Sequence, residues 1–218
     1  MSKFHTLFPQ VIYQGSLEGH SNFKKAYAEP LIKKYRENPT RQTWAKMANS
    51  WAYGVEPGTS DDLLAAVNEK IKVWFNHLEY GLMQYNIEAW WNVHKSEMYQ
   101  ETHIHTGHPH GFVFLCGVYY LQLSELDNGV VFMNANEKNH PAQLASYGLP
   151  MAHPYYLENT LNTLVIEEGD ILLFNPDQAH FAPAAKKDHD GYRISLAFNV
   201  TCPFDLVQNI NQNKPPNN

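Results

Sequence analysis

The sequence predicts a mainly β protein, a β-sandwich or barrel, with N-terminal helices packed on one sheet. From about residue 84 onward, short segments rich in Val, Ile, Phe and Tyr alternate with turn residues, which is typical of all-β domains. Between residues 20 and 80, in contrast, apolar residues recur at helical spacing. A chain of 218 residues with 44% apolar residues can bury one sizeable core.

Two helices are predicted in the first part of the chain. Residues 21–37 repeat apolar side chains at helical spacing, with Pro30 inside the run. Residues 61–79 form the clearer helix, because Ser60 can cap it and two aspartates follow in the first turn. Its apolar stripe is a packing face that consists of Leu64, Val67, Ile71, Trp74, Phe75 and Leu78.

Eight strand-like segments are expected, the first of them at residues 4–14. The others, in chain order, are QYNIEAWWNVHK, QETHIHT, GFVFLCGVYYLQL, GVVFMNA, NTLVIEE, DILLFNP and YRISLAFNVT. We expect a single domain over residues 1–210, with helical support at 20–80, a β core at 84–202 and a frayed polar tail at 211–218. The irregular stretch at 134–160 is a candidate binding loop or lid.

Charge and cysteine content limit the partners and the location. The net charge is −6 and no basic run occurs, so nucleic acid is an unfavoured partner. No apolar run has the length of a membrane span, and no signal-peptide pattern opens the chain, which predicts a protein without a membrane partner. The two cysteines, Cys116 and Cys202, lie in apolar segments and are predicted to be buried reduced thiols of a cytoplasmic protein. The sequence does not indicate an oligomeric state.

The stretch ETHIHTGHPHG at residues 101–111 holds four histidines. Alternate residues of a strand share a face, so His103 and His105 would present two imidazoles side by side. The best third candidate is His180, which follows the apolar segment DILLFNP. Three such groups could hold a divalent metal facially and leave positions open. From the spacing alone, two interpretations of these histidines are equally open: ligands of a metal ion, or ordinary polar residues.

An arginine and a serine on the segment YRISLAFNVT form a second constellation. Arg193 and Ser195 share one strand face, and the opposite face is apolar. A buried guanidinium requires a partner, and a carboxylate fits its planar fork. That carboxylate could belong to a ligand or to an acidic residue of the protein.

Together these features resemble the 2-oxoglutarate- and Fe(II)-dependent oxygenases, and most closely a poorly characterised family of phages and marine bacteria. The matching stretches are LFPQVIY, WWNVHK, YQETHIH, LCGVYYL, EEGDILLFNPDQAH and YRISLAFN. They span most of the chain, and the last two are the most specific. The resemblance implies a double-stranded β-helix (jelly-roll) core.

The resemblance also implies the cofactors, the site and the reaction. Fe(II) would be bound by His103, His105 and His180. The pocket for the cosubstrate 2-oxoglutarate would be lined by Arg193, which binds the distal carboxylate, Ser195, Asn92, and Tyr119 or Tyr120. Oxidative decarboxylation of 2-oxoglutarate would release succinate and CO2, and a C–H bond of a small-molecule or protein substrate would be hydroxylated.

The second ligand departs from the usual pattern of the superfamily. Most members have an acidic residue where this chain has His105, although His-x-His occurs in the resembling family. The structure could therefore use three imidazoles, or a carboxylate from Glu101 or Asp177 could complete the set. Loss of activity is a further alternative.

The choice of histidine pair also stays open. Counting from WWNV places the first ligand at His103, whereas counting back from CGVYYL selects His108 and His110. We favour His103 and His105 because YQETHIH matches the family locally and the following turn tolerates an insertion. His108, His110 and Tyr155 would then lie at the rim of the substrate site.

Two other classes of function compete with this hypothesis. One is a cupin-like dioxygenase or isomerase that uses a three-histidine metal without 2-oxoglutarate. The other is a non-catalytic jelly-roll binding module. Anaerobic binding of Fe(II) and 2-oxoglutarate would discriminate between them.

Overall fold

The computed structural model describes residues 11–37, 48–49, 59–79, 84–95, 98–105, 111–123, 129–133, 161–184 and 191–203. The helices in these ranges are α1 (His20–Glu37) and α2 (Asp61–His77). The strands are β1 (Ile12–Ser16), β2 (Ala48–Asn49), β3 (Asn86–His94), β4 (Gln100–His103), β5 (Gly111–Gln122), β6 (Val131–Met133), β7 (Leu161–Thr163), β8 (Asp170–Phe174), β9 (His180–Ala182) and β10 (Arg193–Pro203). The predicted lid at 134–160 and tail at 211–218 lie outside the described residues.

The strands form two antiparallel sheets. The larger sheet has the order β1-β8-β5-β10-β3-β2, and the smaller has the order β4-β9-β6-β7. Sequence neighbours are rarely sheet neighbours in this arrangement, so the chain crosses repeatedly between the sheets, as in a jelly roll. The predicted mainly β architecture is confirmed.

The long strand β10 shows how alternation divides the two faces of the larger sheet. Ile194, Leu196, Phe198 and Val200 point to one face and are fully buried in the principal core. The same core contains the buried residues of α1 and α2, so the helices cover this face of the sheet. The opposite face of β10 carries Arg193 and Ser195 toward the smaller sheet.

Helix α2 begins as predicted. The Ser60 hydroxyl oxygen accepts a hydrogen bond from the backbone N–H of Leu63 over 3.2 Å, which caps the first turn. The buried stripe starts at Leu63 rather than at the predicted Leu64, because Leu63 is in helical phase with Val67 and Ile71. In the described part of the chain, no helix is long and apolar enough to cross a membrane.

Several strands differ from the sequence prediction. The first strand, expected at 4–14, covers Ile12–Ser16 in the described residues, and the segment QETHIHT is a strand only as far as His103, so His105 lies just beyond it. The segment NTLVIEE pairs only over Leu161–Thr163, and residues 164–168 have no strand structure. Strands β2 and β9 were not expected, since they contain only two and three residues. Strand β9 has a functional consequence, because it contains His180.

Candidate metal centre

The smaller sheet brings three predicted histidines together. His103 at the end of β4 lies directly opposite His180 at the start of β9. His105 follows β4, and its backbone N–H donates to the Pro176 carbonyl over 2.8 Å. This bond anchors the segment after the strand, so His105 faces the same space as the other two imidazoles.

The three imidazoles form a compact cluster. Each offers a ligand atom, and these atoms lie within 4.8 Å of one another. Ring centroids are 4.2 Å apart for His103 and His180, 5.1 Å for His103 and His105, and 5.2 Å for His105 and His180. Among the described residues, this is the one group of three or more His, Cys, Asp or Glu side chains with such geometry.

Hydrogen bonds set the same tautomer in all three imidazoles. Each Nδ1 lies 2.8 Å from an oxygen: the Glu101 carbonyl for His103, Oδ1 of Asn199 for His105, and the Gln178 carbonyl for His180. Because these oxygens only accept, each Nδ1 must carry the proton and donate. The lone pairs therefore reside on the Nε2 atoms, as in histidines that bind metals.

Burial keeps these imidazoles neutral. Removal from water lowers the pKa of His105 from 6.5 to about 4 and that of His180 to about 3, with further lowering by the neighbouring His103. Burial also lowers the pKa of His103. A neutral imidazole is the form that binds a metal ion, so the cluster is ready for one near pH 7.

A pocket extends from the histidine cluster across the larger sheet. Its empty volume is about 520 Å³, which includes the open space at its mouth. Its floor is formed by cross-strand neighbours of β3, β10 and β5, namely the rows His94–Arg193, Asn92–Ser195–Tyr120 and Trp90–Ala197–Val118. The histidine cluster borders the last row, since the His105 ring stacks on Trp90 with centroids 6.2 Å apart.

Polar side chains line the far end of this pocket. Arg193 is 4% exposed, and its Nη2 donates to the Pro183 carbonyl over 3.2 Å. Ser195 and Asn92 lie opposite each other on neighbouring strands and are equally buried. The structure thus brings Arg193, Ser195 and Asn92 into one pocket with the histidines, although their binding roles stay predictions.

The structure does not bring Tyr119 into the pocket. Successive strand residues face opposite sides, so Tyr119 points into the core under the helices, where its hydroxyl lies 2.7 Å from Nδ1 of His20. Tyr120 lines the pocket instead, and its hydroxyl accepts from the backbone N–H of Val130 over 2.9 Å. The alternative that the sequence left open, Tyr120, is the one at the site.

The two alternative carboxylates lie apart from the cluster. Asp177 and Glu101 are both exposed, and neither belongs to the group of possible ligands in the described chain. Strict alternation would have placed Glu101 beside His103, but a register shift interrupts the β4–β9 pairing between Gln100 and His103. His108, His110 and Tyr155 lie outside the described residues.

Sequence reasoning missed several residues around the site. Asn199 orients His105, Trp90 stacks on it, and Gln100 lies with its amide nitrogen 3.2 Å from Nε2 of His103. Asn199 could have been found, since it shares a strand face with Arg193 and Ser195. His94, which is buried in the pocket wall, was also missed.

A jelly roll that holds three metal-ready imidazoles beside an arginine-containing pocket defines a candidate non-haem metal enzyme. A sequence model of the family described as "Putative 2OG-Fe(II) oxygenase" matches residues 88–199, just over half of the chain. The chain belongs to this family, and it is a 2-oxoglutarate- and Fe(II)-dependent oxygenase. No curated protein sequence matches it at a significant level.

Solved structures share the fold. A prolyl-4-hydroxylase of Pseudomonas putida superposes with a TM-score of 0.55 at 13% identity, covering 88% of this chain and 94% of that one. The viral collagen prolyl hydroxylase of Paramecium Bursaria Chlorella virus-1 gives 0.53 at 10% identity, covering 87% and 94%. HygX of Streptomyces hygroscopicus, determined with nickel and 2-oxoglutarate bound, gives 0.51 at 12% identity, covering 88% and 82%.

Proposed function

We propose that the chain hydroxylates a C–H bond of its substrate at an Fe(II) ion held by His103, His105 and His180. In this proposal 2-oxoglutarate occupies the adjoining pocket and directs its distal carboxylate to Arg193. The substrate is a small molecule or a protein side chain.

The observation that carries the metal assignment is the shared tautomer of the three imidazoles. Each ring directs its Nδ1–H to a fixed oxygen acceptor, so Nε2 is the ligand atom in all three; for His103, a metal would take the place of the Gln100 amide nitrogen, which lies 3.2 Å from Nε2. Imidazole nitrogen is a suitable ligand for iron, so the donor set fits Fe(II). It also fits the departure from the common pattern, because no carboxylate is needed to complete three ligands.

Charge supports an anionic cosubstrate. Three neutral imidazoles leave both positive charges of Fe(II) uncompensated, whereas a carboxylate ligand would cancel one of them. At the other end of the pocket lies the buried guanidinium of Arg193. A dicarboxylate could reach the metal with one end and the guanidinium with the other, which favours 2-oxoglutarate over a neutral ligand.

The chain's own residues would bind and orient. The planar fork of Arg193 suits bidentate pairing with a carboxylate, and the Ser195 hydroxyl can add a donor. Trp90, Val118 and Phe174 give the pocket apolar walls that exclude water. When bound, iron with 2-oxoglutarate would activate O2: 2-oxoglutarate would be converted to succinate and CO2, one oxygen atom of O2 entering the succinate and the other entering the C–H bond of the substrate.

Anaerobic titration of Fe(II) and then 2-oxoglutarate tests this proposal. We expect the weak visible charge-transfer band of the iron–cosubstrate chelate, and we expect His103→Ala and His180→Ala to lose it together with bound iron. His77→Ala is a matched control, because His77 is exposed at the end of α2. Iron binding without the band would favour the cupin-like alternative, and unchanged iron content in both alanine variants would refute the metal site.

We further propose a reducing, cytoplasmic location and a single domain over residues 1–210. Cys116 and Cys202 are both buried and form no disulfide in the described part of the chain, which supports a reducing compartment. Localisation of a tagged protein in its native cells tests the first point. Limited proteolysis tests the second, since cleavage should concentrate in the tail at 211–218.

A further inference from the structure

We propose that His94 is a second positioning residue for the distal carboxylate of the cosubstrate, to which its imidazole N–H donates beside Arg193. This inference rests on the proposed function, because it assigns a partner to the same pocket. In this inference the carboxylate has two donors, the imidazole of His94 on β3 and the guanidinium of Arg193 on β10.

The placement of His94 is the first argument. His94 and Arg193 are direct partners in the antiparallel pairing of β3 with β10, and both side chains line the pocket. Side chains of such a pair leave the sheet on the same face about 5 Å apart. Two groups at that separation can contact the two oxygens of one carboxylate.

Missing hydrogen bonds are the second argument. His94 is 5% exposed, yet neither Nδ1 nor Nε2 has a hydrogen-bond partner in the described part of the chain. A buried polar group without a partner costs about 1–3 kcal/mol. A cost of this size at the wall of a ligand pocket indicates that the partner is the ligand.

Charge decides what kind of ligand group His94 meets. Burial, together with the nearby positive charge of Arg193, lowers the pKa of His94 well below its usual 6.5, so the ring is neutral. A neutral ring has one N–H donor and is not repelled by the guanidinium. The same positive charge disfavours a cationic ligand, which leaves an anionic oxygen as the natural acceptor.

The pair also predicts cosubstrate selectivity. With donors from two strands at the far end, the pocket should favour oxo acids that carry a second carboxylate. An analogue such as 2-oxobutyrate has the keto-acid group but no distal carboxylate, so it cannot contact His94 in this way. The selectivity should therefore depend on His94.

Calorimetric titration of the Fe(II)-loaded protein without oxygen tests the inference and excludes turnover as a readout. His94→Phe keeps a flat ring and removes the donor. We expect it to weaken 2-oxoglutarate binding by roughly tenfold to a hundredfold, the usual value of a hydrogen bond to a charged group, and to leave 2-oxobutyrate binding unchanged. Iron affinity should stay the same.

Two amide variants provide the matched rescue. His94→Asn places an N–H donor near the position of Nδ1, and His94→Gln places one near Nε2, so at least one should recover most of the affinity for 2-oxoglutarate. If His94→Phe does not fold, His94→Leu serves the same comparison. Failure of both amides to bind better than the apolar variant would overturn the inference.

Stability separates a binding role from a structural one. Without ligand, His94→Phe should be at least as stable in urea as the parent, because it removes an unpaired buried polar group. A large loss of stability with unchanged 2-oxoglutarate affinity would show a structural role instead. If the parent protein itself does not bind 2-oxoglutarate, the proposed function fails; if the parent binds it and His94→Phe binds equally well, only this inference fails.

Discussion

The Nδ1–H of His105 donates to Oδ1 of Asn199 over 2.8 Å, which joins the segment after β4 to the central strand β10. This bond fixes both the orientation and the tautomer of the imidazole that we propose as the second metal ligand. Asn199 therefore acts on the candidate metal centre without touching the metal position. The orientation of His105 therefore depends on the larger sheet, although His105 itself follows a strand of the smaller sheet.

Asn199→Leu should weaken Fe(II) binding by roughly tenfold to a hundredfold, since loss of the acceptor frees the His105 ring to rotate and change tautomer. Asn199→Asp keeps an acceptor for the His105 N–H. It should therefore bind Fe(II) more tightly than Asn199→Leu, by the same factor of roughly ten to a hundred. Anaerobic competition with a coloured chelator measures both.

Cys116→Ala is the control for this comparison. The Cys116 thiol also donates to Oδ1 of Asn199, over 3.5 Å, but it does not orient the imidazole. Its removal should leave the iron affinity within about twofold, well below the 10–100-fold effect of losing an orienting partner. Equal iron affinity in Asn199→Leu and the parent would contradict the orienting role.

Arg193→Lys should weaken 2-oxoglutarate binding by about tenfold or more while iron binding stays the same. Lysine keeps the charge but loses the planar fork that suits a carboxylate. Titration of the Fe(II)-loaded variant with 2-oxoglutarate in the absence of oxygen measures the change. Arg36→Lys, at an exposed position on α1, is the matched control and should behave as the parent. An unaltered dissociation constant in Arg193→Lys would rule out bidentate binding.

Period-two alternation accounts for much of what the sequence could predict. On β10 it separates the apolar core face from the face of Arg193 and Ser195, and the structure has this division. The same rule is ambiguous for Tyr119 and Tyr120, since adjacent residues face opposite sides and both are buried tyrosines of one strand. Only the pairing of β5 with β10 decides which of them meets the pocket.

Irregular pairing explains most of what the sequence could not predict. A register shift in the pairing of β4 separates Glu101 from the cluster. No local pattern in the segment QETHIHT predicts this shift. Strand β9 has three residues, too few for a periodic signal, and yet it sets His180 opposite His103. The proposed role of His94 could not be predicted for another reason. A single histidine at the end of a strand is common, and its partner across the sheet, Arg193, is known only from the structure.

Gly117→Ala should destabilise the fold by about 1–3 kcal/mol, the usual effect of overpacking a core. A methyl group at Gly117 would overlap the ring of Phe198, which is fully buried and cannot move aside. Urea denaturation measures the loss. Gly15→Ala is the comparison, since its added methyl meets the partly buried Tyr13 side chain, which can rotate away. An equal effect of the two substitutions would show that the core around Phe198 adapts.

Acid should destabilise the metal-free protein in a defined range of pH. In the unfolded chain the histidines take up protons near 6.5, whereas in the folded chain His105 does so at about 4 and His180 at about 3. Between these values the unfolded state binds more protons than the folded state. The free energy of unfolding is therefore undiminished by these histidines above pH 6.5, and it decreases as the pH falls toward 4 for His105 and toward 3 for His180.

The loss at pH 5 relative to pH 7.5 should be roughly 2 kcal/mol per histidine, with coupling between the rings reducing the sum. Urea denaturation with a chelator present measures it, and pH 5 lies above the range in which the pKa of Glu168, lowered from 4.5, contributes. His180→Leu removes one of these histidines. Between pH 7.5 and pH 5 its free energy of unfolding should therefore decrease by less than that of the parent protein. If this variant and the parent show the same dependence on pH, protonation of the histidine cluster does not cause the acid sensitivity.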